Sequence, residues 1–289
     1  MPVTRRTFLR AGAVAAGGVL FVGADGFAWE PNHPRLVEVE IRLKRLPPAW
    51  AGLRIVQMSD FHYDPHFSVI PLRHSIGIVN NLRPDLIVLT GDFVTAPALL
   101  DNRSQLEKAA RDAEPCAAIL SGLHARLGIF AALGNHDGGT DSVIVTASLA
   151  QHGFTVLQNR SFPLEQNGAR LWLAGIDDVL QGQPDLDLTL HGIPQDEPIV
   201  LLAHEPDIAV EVARHPVDLQ LSGHSHGGQV WVPLLGAPWL PPLGRKFPHG
   251  MYHVRDLTLY TNVGLGTVRI PVRLNCPPEI TLITLQPGT

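Results

Sequence analysis

Five predominantly apolar runs in this chain each stop, within three residues, at an Asp, Asn or His. Leu53–Met58 leads to Asp60 and His62, Leu86–Leu89 to Asp92, Gly128–Leu133 to Asn135 and His136, Pro198–Ala203 to His204, and Val217–Leu221 to His224 and His226. Runs of this length, bounded by turn residues, read as buried strands. In α/β sheets, ligands are met outside the carboxyl ends of strands, which is where these polar residues fall. Each has an ordinary explanation on its own: Asp92 could cap a turn, Asn135 could be a turn former after Gly134, and His204 could be a hydrogen-bonded core histidine. The repetition is what constrains the chain, since metal-competent residues at five strand ends are a poor match to chance. The set contains no cysteine, which favours Mn²⁺, Fe²⁺ or Zn²⁺ over a thiolate site.

Between these runs the pattern alternates. Leu36–Leu43 alternates apolar and polar residues, as a half-exposed strand near a sheet edge would. Residues 70–82 carry Ile70, His74, Ile78 and Leu82 at helical spacing. Residues 104–125 suit a long helix that Pro115 should kink or restart, and 141–152 suit another that Gly153 stops. Strands are expected near 155–157 and 170–175, with Asn167-Gly168 as a hairpin turn between Phe162 and Leu171. A short helix fits 208–214, and further strands fit 250–254, 257–262 and 280–285. The Pro-, Gly- and Trp-rich stretch 227–250 reads as a long loop. One α/β domain with two sheets covered by helices accounts for this order, with no repeat or second-domain linker.

The chain has 289 residues and a formal net charge of −5, so nothing in its overall charge points to nucleic acid, and no Lys/Arg cluster falls near the candidate ligands. Its fourteen histidines exceed what core packing calls for, whereas Cys116 and Cys276, its only cysteines, read as two buried thiols. The N-terminus stands apart. Arg5-Arg6-Thr7-Phe8-Leu9 precedes an Ala/Gly-rich apolar run from Ala11 to Val22, the pattern of a twin-arginine export signal or a short anchor. Residues 1–29 are therefore expected to serve export, through the twin-arginine machinery, to the periplasm or cell envelope, and 30–289 to form the folded domain.

Taken in order, Asp60-x-His62, Gly91-Asp92, Gly134-Asn135-His136-Asp137, His204 and Gly223-His224-x-His226 resemble the signature of the calcineurin-like metallophosphoesterases, over about residues 30–285. His224–Val230, Gly264-Leu265-Gly266 and Pro271-Val272-Arg273 are similar to an exported bacterial phosphodiesterase branch of that family. The resemblance implies a four-layer αββα sandwich, with two mixed β-sheets flanked by helices. It also implies two divalent metal ions (Mn, Fe or Zn), one held by Asp60, His62 and His226, the other by Asn135, His204 and His224, with Asp92 bridging. Two cations about 3.5–4 Å apart would activate a shared water for in-line attack on a phosphoester substrate. His136 matches the family's catalytic histidine, which stabilises charge on phosphoryl or leaving-group oxygen or protonates the leaving group. In the family's protein phosphatases the Gly-Asp block continues to an Asp that orients this histidine and an Arg that grips phosphate. Here Thr95 and Ala96 stand instead, which argues against a phosphoprotein phosphatase and leaves Asp64 and Asp137 as candidate partners of His136 by proximity.

A phosphodiesterase or pyrophosphatase is the expected activity. A phosphomonoesterase using the same site, and a non-catalytic metal-binding protein of the same fold, are the alternatives. The apolar loop Val230–Leu243 could pack as a lid on the sheet edge. It could instead form an apolar wall for a lipid-linked substrate, with peripheral or anchored membrane association.

Overall fold

The computed structural model describes residues 22–97 and 102–288; the twin-arginine motif and most of the apolar run after it lie outside the described residues. In chain order the strands are β1 (Arg35–Leu43), β2 (Leu53–Met58), β3 (Leu86–Thr90), β4 (Ile129–Ala132), β5 (Thr155–Val156), β6 (Arg160–Gln166), β7 (Ala169–Gly175), β8 (Ile199–Leu202), β9 (Leu219–Ser222), β10 (Gly250–Val254), β11 (Leu257–Thr261) and β12 (Glu279–Pro287). The α-helices are α1 (Val69–Leu82), α2 (Arg103–Ala110), α3 (Ala113–Leu120), α4 (Asn135–Thr140), α5 (Ser142–Gln151), α6 (Leu186–Leu190) and α7 (Ala209–Val212).

The strands form two six-stranded sheets, ordered β1-β12-β2-β3-β4-β5 and β10-β11-β9-β8-β7-β6. Both are mixed: β12 runs antiparallel to β2 in the first, while β10 and β6 run antiparallel to their neighbours in the second. The strand period of two sorts each run into two cores. Along β2, Leu53 and Ile55 face the second sheet, in a cluster with Leu173, Val200 and Leu221, while Val56 and Met58 face helices α1, α3 and α5 through Leu72, Leu120 and Leu149. The outer face of the second sheet packs Ile199, Leu201 and Leu259 against Ala209 and Val212 of α7. Four layers, αββα, follow directly from strands that are apolar on both faces.

The edge position expected for β1 is observed, with β12 as its only neighbour among the described residues. The long helix expected over 104–125 is instead two helices. Pro115 sits in the first turn of α3, where a missing N–H costs no helical bond, so it restarts the helix rather than bending it. Between the sheets, just beneath their carboxyl ends, the buried Gln57 side chain donates to Thr90 Oγ1 at 3.2 Å and to the Ser222 carbonyl at 2.8 Å. It thereby ties β2 and β3 of one sheet to β9 of the other, at the level where the candidate ligands begin.

Candidate metal centre

Every predicted ligand lies at the carboxyl end of a parallel strand, β2, β3 or β4 in one sheet and β8 or β9 in the other, and these ends converge. Three overlapping groups offer ligand atoms within 4.8 Å of one another: Asp60, His62 and His226; His62, Asp92 and His136; and Asp92, His204 and His224. His226 Nε2 is 3.1 Å from Asp60 Oδ1 and 3.0 Å from His62 Nε2. Asn135 Oδ1 lies 2.8 Å from His224 Nδ1. A single oxygen of Asp92, Oδ2, lies 3.4 Å from His62 Nε2 and 3.1 Å from His204 Nε2. The predicted bridge thus stands between a member of each predicted set.

The donor chemistry fits two hard-to-borderline cations. His204 Nδ1 faces the Thr90 carbonyl at 2.6 Å and His224 Nε2 faces the Pro242 carbonyl at 2.7 Å. Each carbonyl fixes a proton on the nitrogen it meets, which turns the lone pair of the other nitrogen inward, as outer partners of metal-bound histidine do. His204 Nε2 is then a buried ring nitrogen that, although 3.1 Å from Asp92 Oδ2, makes no well-aligned hydrogen bond among the described residues. Left so, it would be costly; a cation would satisfy it. Burial works against charge on Asp60, yet His226 and His204 hold its carboxyl well below the usual range. Burial likewise pulls His204 down, but Asp92 and Asp60 together carry it well above an ordinary imidazole. Facing two carboxylates, this buried position favours positive charge, as a cation site requires.

Local backbone strain accompanies the convergence. Asp60, His62, Asp92, His224 and His226 all have φ between 42° and 67°, in the left-handed region that costs a non-glycine residue about 1–2 kcal/mol. Such strain persists only where the surroundings enforce it. The glycines before Asn135 and His224 are part of that enforcement: a Cβ at Gly134 would lie 2.7 Å from the Asp92 amide nitrogen, and one at Gly223 would collide with Ser59 and Asp60. Loops from neighbouring strands pack backbone against backbone here, and no side chain fits between them.

His136 faces the same cleft, edge-on to His62 with ring centroids 4.7 Å apart. Its partner is neither Asp64 nor Asp137. Asp64 Oδ1 accepts from the amides of His66 and Phe67 in its own turn. Asp137 is fully buried and accepts from the amides of Asp92, Phe93, Val94 and Gly134 at 2.8–3.2 Å. Burial and the Asp92 charge push its carboxyl up to about 8, against the pull of the Gly134 and Val94 amides and of His204. Since both oxygens already accept, the carboxylate is the form this nest of donors fits. His136 Nδ1 instead accepts from the amide of Ala96 at 2.8 Å. The ring is therefore neutral and carries its proton on Nε2, and burial depresses its pKa to about 4. At Thr95 the hydroxyl meets His62 Nδ1 at 3.1 Å. The two positions that depart from the protein-phosphatase pattern are thus both in use, one through its backbone.

The sequence assigns no role to Arg273 beyond its place in a motif. It is fully buried and donates five bonds to the carbonyls of Val263, Gly264, Gly266 and Cys276. That braces the 263–266 turn, whose Leu265 and Gly266 amides donate to the carbonyls of Ser59 and Asp60. The signal is a charged residue in an apolar stretch, which alone does not separate a brace from a surface residue. Asp177 and Asp178 are structural, bonding the Gln183, Leu180 and Gln181 amides. Both cysteines are free and buried.

Comparison with known proteins agrees with this geometry. The profile of the calcineurin-like phosphoesterases matches residues 53–228. The chain is 36% identical over 290 residues to metallophosphoesterase YkuE of Bacillus subtilis, covering 98% of both chains. It is 30% identical over 294 residues to phosphodiesterase YaeI of Escherichia coli, covering 98% of this chain and 99% of that one. It is also 34% identical to a zebrafish (Danio rerio) transmembrane protein with a metallophosphoesterase domain, with 88% of this chain matched to 57% of that one.

Proposed function

The chain belongs to the calcineurin-like phosphoesterase family, and from that premise we propose that it hydrolyses phosphodiesters outside the cytoplasm with a dimetal centre. Asp60, His62 and His226 would hold one cation, Asn135, His204 and His224 the other, and Asp92 both. When bound, such a pair lowers the pKa of water and neutralises charge on the phosphoryl group. The observation that carries this reading is the position of Asp92 Oδ2 between His62 and His204. Asn135, being neutral, keeps the centre positive enough to attract a phosphate ester.

His136 is the residue we assign to catalysis, as a neutral Nε2–H donor to a phosphoryl or leaving-group oxygen. What supports a donor rather than a proton-delivering imidazolium is the Ala96 amide on Nδ1: a second ring proton would have to point at that N–H. Developing negative charge aimed at a fixed, largely buried donor is where such a contact counts most. A diester, with less charge than a monoester, suits a site that has Ala96 where the protein phosphatases carry a phosphate-gripping Arg. Export is proposed from the twin-arginine pattern, through machinery that carries folded proteins; a centre assembled from distant strand ends could then be loaded before transport.

A substrate panel with Mn²⁺, Zn²⁺ and Fe²⁺ tests the reading, using water-soluble monoesters, diesters and nucleotide diphosphate conjugates. Metal-dependent turnover with kcat/KM higher for diesters or pyrophosphates is expected. A preference for monoesters would make the enzyme a phosphomonoesterase, and no turnover of any ester with both ions bound would make it a binding protein.

A further inference from the structure

Apolar side chains from four separate segments ring the opening of the metal centre. Phe27, Phe67 and Ile70 line a cavity of about 350 Å³ that reaches His62. Trp239 and Ile270 line a neighbouring cavity of about 560 Å³ whose floor is Asp92, Asn135 and His136. Arg269 and Ile270 belong to both walls, so the two cavities share one rim. All five of these apolar side chains are exposed, and the loop that carries Trp239 also presents Leu234 and Leu235, 104% and 84% exposed. Apolar side chains gathered round a polar centre, rather than scattered singly, mark an interaction surface.

We propose that this rim docks on a phospholipid bilayer and that the centre acts on amphiphilic phosphodiesters held at headgroup depth. Two observations favour a bilayer over a protein partner. The first is where the chain enters. The apolar run Ala11–Val22 feeds directly into the residues at the rim, and the segment that follows it is built into the fold. Gly26 is buried and its carbonyl accepts from the Arg273 amide at 2.9 Å, while the Glu30 carboxylate accepts from the Asn275 and Cys276 amides. The residues that follow that run in the sequence are thereby fixed at the mouth, where Phe27 and Pro31 line the first cavity. The second is the pairing of Arg269 with Trp239, guanidinium 5.7 Å from the ring centroid. Amphipathic aromatic side chains favour the headgroup level, and a cation there meets lipid phosphate.

The substrate class rests on the phosphodiesterase reading, whereas docking does not, and the experiment separates them. Full-length, metal-loaded protein is mixed with vesicles of phosphatidylethanolamine and phosphatidylglycerol, with and without brominated acyl chains. Quenching of Trp239 is read as the difference between wild type and Trp239→Phe. In parallel, hydrolysis of soluble bis(p-nitrophenyl) phosphate is compared with that of a fluorogenic phosphodiester embedded in the same vesicles. Wild type should show bromine quenching of Trp239. Leu234→Ser/Leu235→Ser should lose about tenfold of the vesicle-embedded rate and most of the quenching, with soluble-diester turnover unchanged. A second variant, Phe67→Ser/Ile70→Ser, should also lose quenching. Absence of Trp239 quenching in wild type, whether because the N-terminal run or another protein covers the rim, overturns the proposal; so does an unchanged vesicle rate in Leu234→Ser/Leu235→Ser. Quenching without hydrolysis of either diester would retain the docking surface and overturn the phosphodiesterase reading instead.

Discussion

Asp92 offers one oxygen to two imidazoles, and the rest of the centre is arranged around that oxygen. Its other oxygen accepts from the His136 amide at 2.8 Å, so the same carboxylate also seats the histidine proposed for catalysis. Removing its charge should therefore be felt by both ions. Asp92→Asn is expected to weaken each by at least ~10–100-fold, the loss seen even when outer partners of metal ligands are removed. His62→Ala should weaken mainly the ion shared with Asp60 and His226. Counting metals on the two purified variants distinguishes them. His136 makes a second prediction at this scale. Burial lowers its pKa in the fold to about 4 from 6.5, so its contribution to stability is complete above 6.5 and is lost as pH falls toward 4. The shift corresponds to on the order of 3 kcal/mol. Thermal melting of the metal-free protein should show a fall in Tm across that window that is smaller in His136→Gln; equal falls would contradict the assignment.

At the scale of elements, the strand ends are legible in the sequence and what fastens them is not. Apolar runs stopping at Asp60, Asp92, Asn135, His204 and His224 can be read because strands and ligands are both written locally. Helix α4, which begins at Asn135, has no such signal, since Gly138 and Gly139 are poor helix formers and only the Asp137 carboxylate, accepting from the Gly134 amide, marks its start. Asp137 looks like a turn residue in sequence because three of its four amide donors come from the 92–94 loop, distant in the chain. The partner of His136 is unreadable for a plainer reason: it is a backbone N–H, and any residue but proline supplies one. Gly223 gives the prediction for this scale. A methyl group there would push on Ser59 and Asp60, so Gly223→Ala should lose ion binding and cost about 1–3 kcal/mol. Gly77, in α1 with open space within 4 Å of where a Cβ would sit, is the control, and Gly77→Ala should stabilise by roughly 0.5–1 kcal/mol. Melting curves and metal content of both variants decide the contrast.

Across the whole molecule, two sheets bring five strand ends to one place, with the inter-sheet core beneath them and Gln57 and Arg273 locking the layers and the surrounding turns. The two-sheet architecture can be anticipated from strand order and patterning, because the central strands are apolar on both faces. How the far end of the chain closes the site cannot, since Arg273 and the 263–266 turn act through carbonyls that carry no sequence signal. The proposed activity requires this scaffold to hold two ions and His136 to turn them to hydrolysis. Metal content and diester turnover, measured on the same preparations of wild type and His136→Ala, test that most directly. Two ions per chain in both proteins, with turnover reduced about 10²–10⁴-fold in the variant, is the predicted result. Equal turnover in the two proteins, or one ion or none in the active wild type, would contradict it.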